Sequence, residues 1–432
     1  MDLSRPPPTD LPMLSPRLCE IGWLTGGAEN DIVLLKRKNE SSADPVLTQP
    51  LRPNTRIPIY GTKGYVLADE ILAQGWRDSV RWMSDKPAYK RMAEYRILEP
   101  TLADYVAYSS RLVTPIYPAD ANLIVSLLDL HPTTPTDPNP AEKIEIFEAG
   151  TGHGALTLHL ARAIHGANAA APTLPRLNYG QATARAKGED IDTVAPPKSV
   201  EELELDREIQ TEREVFDDWR AQRRAVIHTL DNNPSHSGFA KRTIRNFRRG
   251  MYFPHIDFHV GGINEYLSAR LRETEEAFLD HAILDLPGTH DYLEIVGKSL
   301  KPNGLLVTFC PSVTQILRCV TLVKEQRLPY VLEKVLELGS SVGSGGREWD
   351  IRAVKPRAIA KLEAAAREED EGLSVSESVE NIEVSGQGTV ASECDSHWET
   401  ICRPKPGVRT IGGGFVGLWR RMEQKPVKEI VL

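Results

Sequence analysis

The segment FEAGTGHGALTLHLARAIHG, residues 147–166, constrains the fold of this chain more than any other. The apolar run IEIF (144–147) leads into Gly150, Gly152 and Gly154. Leu156, Leu160, Ala163 and Ile164 then recur at helical spacing, and Gly166 stands where a helix would stop. A strand, a tight turn and a helix in that order open a nucleotide-binding βαβ unit. The spacing Gly150-x-Gly152-x-x-Ala155 also satisfies the dinucleotide fingerprint, so the glycines alone leave the cofactor open.

Glu148, two positions before the first glycine, discriminates between cofactors. A carboxylate facing the turn would repel a pyrophosphate. It would favour the ammonium and sulfonium of S-adenosylmethionine, with the glycines letting the cofactor approach the backbone. A second carboxylate is expected at the end of the next strand, to bond ribose hydroxyls. AVIHTL (225–230) ends in Asp231, which fits, with helix N-capping as the competing role. HAIL (281–284) ends in Asp285, which should face the ligand crevice of a doubly wound sheet, or else serve as a turn residue before Pro287. Together these favour S-adenosylmethionine over NAD.

Strand-like runs at 225–230, 256–260, 281–284, 304–309 and 330–336 alternate with helical patterns. They predict an α/β chain with a Rossmann-like, parallel, doubly wound sheet. A last strand is expected at GFVGLW (414–419). Short runs between Ile32 and Ile71 predict a small β-rich domain before it. The expected layout is a disordered N-terminus over 1–30, the β-rich domain over 31–96 and the sheet domain over 97–432. Insertions within that last domain are expected at 167–223 and 358–400. Ala167 to Pro197 is rich in Ala, Pro and Thr and leads into a charged helix with a capping box at Ser199 and Glu202. Ala364 to His397 is Glu- and Ser-rich and reads as a disordered linker.

Composition excludes several classes. No apolar run approaches the roughly 18 residues of a membrane span, and the five cysteines include no CxxC pair, so neither a disulfide framework nor a zinc site is expected. His153, His159 and His165 lie on different helix faces, which argues against a metal. The first 20 residues carry three consecutive prolines with both charge signs, a poor secretory or transit signal. Net charge is −8, so bulk charge does not announce a nucleic-acid binder. Lys241 to Arg249 holds five cations, read as a solvated helix face in preference to a phosphate-binding strip.

Several motifs in order resemble the tRNA (adenine-N1) methyltransferases that act on the T-loop adenosine at position 58. These are EPTLADY (99–105), RLVTPIYPAD (111–120), FEAGTGHGALT (147–157), LDLP (284–287), SVTQI (312–316) and REWDIR (347–352). The resemblance covers most of the chain outside the two insertions and the first 30 or so residues. It implies S-adenosyl-L-methionine as cofactor, held by Ile116, Tyr117, Glu148, Gly150, Thr151, Gly152, His153, Gly154, Asp231, Gly262 and Asp285, with Asp285 catalytic. It implies tRNA as partner, gripped by the β-rich domain. It also implies a homo-oligomer (a tetramer) or a hetero-oligomer with a non-catalytic paralogue, and no membrane. The IYP form (116–118) resembles the bacterial and organellar branch, which implies a mitochondrial location, with a nuclear one as the alternative. The chain departs from the family pattern at His153 (commonly Ser), Gly261-Gly262 (Gly-Asp), 288–290 (Glu-Pro-Trp) and 412–414 (Gly-His-Thr). Two other functions stay open: the same fold acting on another RNA or protein substrate, and an inactive RNA-binding subunit. Retention of Glu148, the three glycines, Asp231 and Asp285 favours the catalytic role.

Overall fold

The computed structural model describes residues 27–38, 43–59, 62, 64–84, 93–137, 142–174, 200–339, 349–354, 399–404 and 413–423. Two compact units emerge. The larger takes in 1–39, 43–345 and 410–432; the smaller takes in 40–42 and 346–409.

The larger unit begins with β1 (Leu34–Arg37), β2 (Val46–Leu47), the hairpin β3 (Arg56–Ile59) and β4 (Gly64–Leu67), the short helix α1 (Ala68–Leu72), β5 (Ser79–Arg81) and β6 (Glu94–Leu98). Four of these strands form an antiparallel sheet in the order β2-β1-β6-β5. Alternation puts Leu35, Ile57, Val66, Val80 and Ile97 into one apolar core with Leu51 and Ile71, while Arg56, Arg81 and Arg96 point out. Two helices then lead to the main sheet, α2 (Leu102–Tyr108) and α3 (Pro118–Leu127). Thr101 and Asp104 form a reciprocal capping box that starts α2. Pro118 opens α3 at a position where its missing N–H costs nothing.

The main sheet is built from β7 (Ile144–Ala149), α4 (Ala155–Ile164), α5 (Val200–Ala221), β8 (Ala225–Asp231), α6 (Pro234–Asn246), β9 (Ile256–Val260) and α7 (Ile263–Thr274). It continues through β10 (Leu279–Leu284), α8 (Leu293–Ser299), β11 (Leu300–Cys310), α9 (Val313–Glu325) and β12 (Tyr330–Leu338). Its seventh strand is β15 (Gly414–Arg421), and the order is β12-β15-β11-β10-β7-β8-β9. From β11 through β9 the neighbours are parallel; β15 runs antiparallel between β11 and β12. Central β7 and β8 are buried along almost their whole length, as expected of parallel strands covered on both faces. One apolar layer gathers Ile146, Leu158, Ile164, Ile227, Ile244 and Ile283; the other gathers Phe147, Leu230, Leu267, Leu284, Leu306 and Trp419.

The two expected insertions behave differently. In 167–223, Ala167 and Asn168 are buried. Asn168 Oδ1 accepts from the backbone N–H groups of Arg224 and Ala225, and its amide donates to Ala225 O, fastening the chain to the start of β8. Along its length α5 buries Ile209 and Phe216, and at its end Arg220 and Arg223 reach Asp257 on β9 at 2.6 and 2.7 Å. This segment therefore contributes core at both of its ends. Residues 175–199, including the anticipated cap Ser199, lie outside the described residues. The second insertion belongs to the smaller unit, a compact body of its own where an insertion within the sheet domain was expected. It holds the antiparallel pair β13 (Trp349–Val354) and β14 (Glu399–Pro404). The expected linker 364–397 and the expected disorder over most of 1–30 lie outside the described residues. Among the described residues no helix is long and apolar enough to cross a membrane.

Candidate active site

Parallel register places Ala149 opposite Leu230 on one side and Leu284 on the other. The glycine corner therefore emerges between the ends of β8 and β10, flanked by Asp231 and Asp285. Asp285 N donates to Ala149 O at 2.9 Å, and Gly150 and Thr151 donate to Leu230 O at 2.9 and 3.4 Å. All three glycines have positive φ: +96° at Gly150, +56° at Gly152 and +85° at Gly154. Each also faces a neighbour from this chain. A Cβ at Gly150 would lie 2.0 Å from the carbonyl oxygen of Asp285. One at Gly152 would meet Val113, and one at Gly154 would meet Ile244 of α6. The absent side chains thus let strands and helices converge on the corner, a demand beyond the cofactor approach expected from sequence.

Glu148 does not face the open side of the turn. Its side chain is buried, and Oε2 accepts from Thr157 Oγ1 at 2.6 Å and Thr229 Oγ1 at 2.7 Å. Thr229 spends its proton there, so Thr151 is the donor in the 2.7 Å contact between their hydroxyls. Burial lifts the Glu148 carboxyl to about 7 against those two bonds, with repulsion from Asp285 and Asp231 adding to the rise. The residue braces β7, β8 and α4 beneath the turn. Thr157 and Thr229 carry no linear signature that would have revealed this.

Asp231 is also committed to the corner. Its Oδ2 accepts from Gly152 N at 3.1 Å and its Oδ1 from Asn233 N at 2.9 Å, with His236 Nδ1 at 3.4 Å. It is not the cap of α6: Asn233 caps that helix by accepting from Ser235 N. Asp285 differs from both. Among the described residues its carboxylate has no hydrogen-bond partner, and burial alone pushes it up to about 7. The turn that follows is held without it, by Thr289 Oγ1 donating to Leu286 O at 2.8 Å and by Gly288 at φ +72°.

Around this centre, Val113 brings the loop before α3 against Gly152. Ile116 of that loop is buried, and the Tyr117 hydroxyl accepts from Arg111 Nη1 at 3.3 Å. The His153 ring is buried with Nε2 unpartnered; burial, with the Arg111 charge nearby, lowers its pKa to about 4 and keeps the imidazole neutral. Gly262 ends the loop after β9, and the Glu265 carboxylate folds back into the space that a Cβ there would need. Among the described residues no group of three or more His, Cys, Asp or Glu could hold a metal ion.

Comparison with known proteins bears on this arrangement. No family model matches the chain. A SAM-dependent O-methyltransferase of Thermotoga maritima superposes with a TM-score of 0.50 at 14% identity, covering 93% of this chain and 96% of that one. The fold is that of a Rossmann-like methyltransferase. By sequence, a tRNA (adenine(58)-N(1))-methyltransferase TrmI of Thermus thermophilus is 29% identical over 259 residues, 60% of this chain and 69% of that protein. A tRNA (adenine(57)-N(1)/adenine(58)-N(1))-methyltransferase TrmI of Methanocaldococcus jannaschii is 22% identical over 241 residues, 54% of this chain and 64% of that protein. The chain is thus related to the TrmI methyltransferases.

Proposed function

We propose that this methyltransferase transfers a methyl group from S-adenosylmethionine to N1 of the T-loop adenine, position 58, of tRNA. The observation that carries the mechanism is Asp285: a partly buried carboxylate without a hydrogen-bond partner among the described residues, at a strand end, beside the glycine corner and across it from Asp231. Such a group is costly unless a ligand completes it. The residues present fit S-adenosylmethionine. Asp231 and Asp285 flank the corner with two carboxyl groups on the side where a cationic ligand would lie, and Glu148 braces the turn from beneath. The neutral His153 imidazole has an unpartnered Nε2 that can bond an amino-acid carboxylate, and Ile116 and Tyr117 lie on the loop over the corner.

When bound, S-adenosylmethionine supplies an electrophilic methyl group on a sulfonium. Adenine N1 carries a free lone pair at neutral pH, so no strong base is required and positioning dominates. Asp285 accepts a hydrogen bond from the exocyclic amine while the ring takes on positive charge, an interaction strongest in the transition state. The target base must leave the folded tRNA to reach the pocket. Assembly into a tetramer or with a non-catalytic paralogue, and a mitochondrial setting, are part of the proposal and rest on the sequence motifs alone.

The test is incubation of purified protein and cofactor with an unmodified tRNA transcript, followed by nucleoside mass spectrometry. The expected product is 1-methyladenosine, absent from a transcript carrying guanosine at position 58. Methylation at an oxygen, or at another base, would replace this reading.

A further inference from the structure

We propose that the outer face of α6 is an RNA phosphate-binding surface leading from the candidate active site to the N-terminal sheet; this rests on tRNA being the substrate. Residues 234–250, PSHSGFAKRTIRNFRRG, hold Lys241, Arg242, Arg245, Arg248 and Arg249 and no acidic residue, within a chain of net charge −8. The inner face of α6 buries Ser237, Ala240, Thr243 and Ile244, which leaves Lys241 and Arg242 exposed.

How these cations are held decides between a solvated helix face and a binding surface. Lys241 Nζ lies 5.5 Å from the centre of the Phe258 ring, and the Arg242 guanidinium 5.7 Å from Phe239. Arg245 lies 5.4 Å from Phe253, which stacks on Phe258 at 5.6 Å. Neither Lys241 nor Arg242 has a carboxylate partner among the described residues. An ion pair would order these side chains and cancel their charge. An aromatic ring orders them and leaves the charge available to an anion. Cations interleaved with partly exposed aromatic rings suit a nucleic-acid backbone, whose phosphates they neutralise and whose bases the rings can stack.

Both ends of the strip are anchored. At the cofactor end, His236 approaches Asp231. At the far end, Tyr105 donates to Thr243 O at 2.7 Å, and Arg249 holds Asp31 at 2.6 and 2.8 Å. Arg248 and Arg249 adopt φ of +43° and +55°, and Arg248 pairs with Glu99. These last two arginines are thus spent on joining the sheets, and Lys241 and Arg242 form the surface itself.

The experiment measures binding of an unmodified tRNA transcript to the full chain from 50 to 200 mM salt, for wild type, K241Q/R242Q and the charge-preserving K241R/R242K. Cofactor affinity read on the same samples reports the fold. The expected result for K241Q/R242Q is a roughly tenfold loss of tRNA affinity and a salt slope smaller by about 2, with cofactor affinity unchanged. K241R/R242K should bind as wild type does. Unchanged tRNA affinity and slope in K241Q/R242Q, while wild type methylates tRNA, would overturn the surface and leave the activity standing. Wild type that binds cofactor but no tRNA would overturn both.

Discussion

Asp285 and Glu148 look alike in the sequence, each an acid at the end of an apolar strand. The structure separates them by their partners. Glu148 has two threonine donors and braces the fold; Asp285 has none. That difference depends on where Thr157 and Thr229 arrive in three dimensions, which linear spacing cannot show. It has a measurable consequence. An ordinary aspartate ionises near 4, whereas burial holds Asp285 protonated up to about 7. Its contribution to stability is therefore fully present below about 4 and is lost as pH rises through about 7. Asp285→Asn cannot ionise and escapes that loss. The ligand-free variant should melt higher than wild type at pH 8 and close to wild type at pH 4.5, by calorimetry. Glu148 titrates in the same range, so the difference between the two proteins is the quantity to read. Equal melting temperatures at both pH values would mean that Asp285 is solvated or paired.

At the scale of elements, every strand of the main sheet was legible as an apolar run, most plainly the central parallel strands β7 and β8, which are buried on both faces and need no alternation. The helix α5 was harder. Its sequence is mostly charged, and only the reach of Arg220 and Arg223 to Asp257 on β9 shows that its end is built against the sheet. Burial opposes ionisation of Asp257, but Arg223 and then Arg220 win and hold its carboxyl at about 2. Removing Asp257 would leave Arg223, 5% exposed, without its counter-charge. Asp257→Ala should cost about 3 kcal/mol, the low end for a broken buried pair because Arg220 is partly exposed. Asp217→Ala, which touches only the exposed side of Arg220, should change stability by less than about 0.5 kcal/mol. Chemical denaturation of the two variants checks this; equal losses would mean that the α5 end is not anchored through β9.

For the whole molecule, the main sheet and the β-rich segment before it were both legible, and the junction between them was not. It rests on Arg249 with Asp31 and on Tyr105 with Thr243, pairs separated by 218 and 138 residues. The separate unit formed by 346–409 was hidden for a related reason: its strand pair β13–β14 closes across a segment whose composition reads as linker. What unites the molecule is convergence of three strand ends on one glycine corner, with the unpartnered acid among them. The most direct test is single-turnover methyl transfer to an unmodified tRNA transcript, wild type against Asp285→Asn, at saturating cofactor and RNA. Asparagine keeps an acceptor and loses the charge. The expected rate is lower by roughly 10²–10³-fold, on the scale of one preorganised polar group, with cofactor affinity little changed. A rate near wild type would contradict it and leave Asp285 as a residue of the turn.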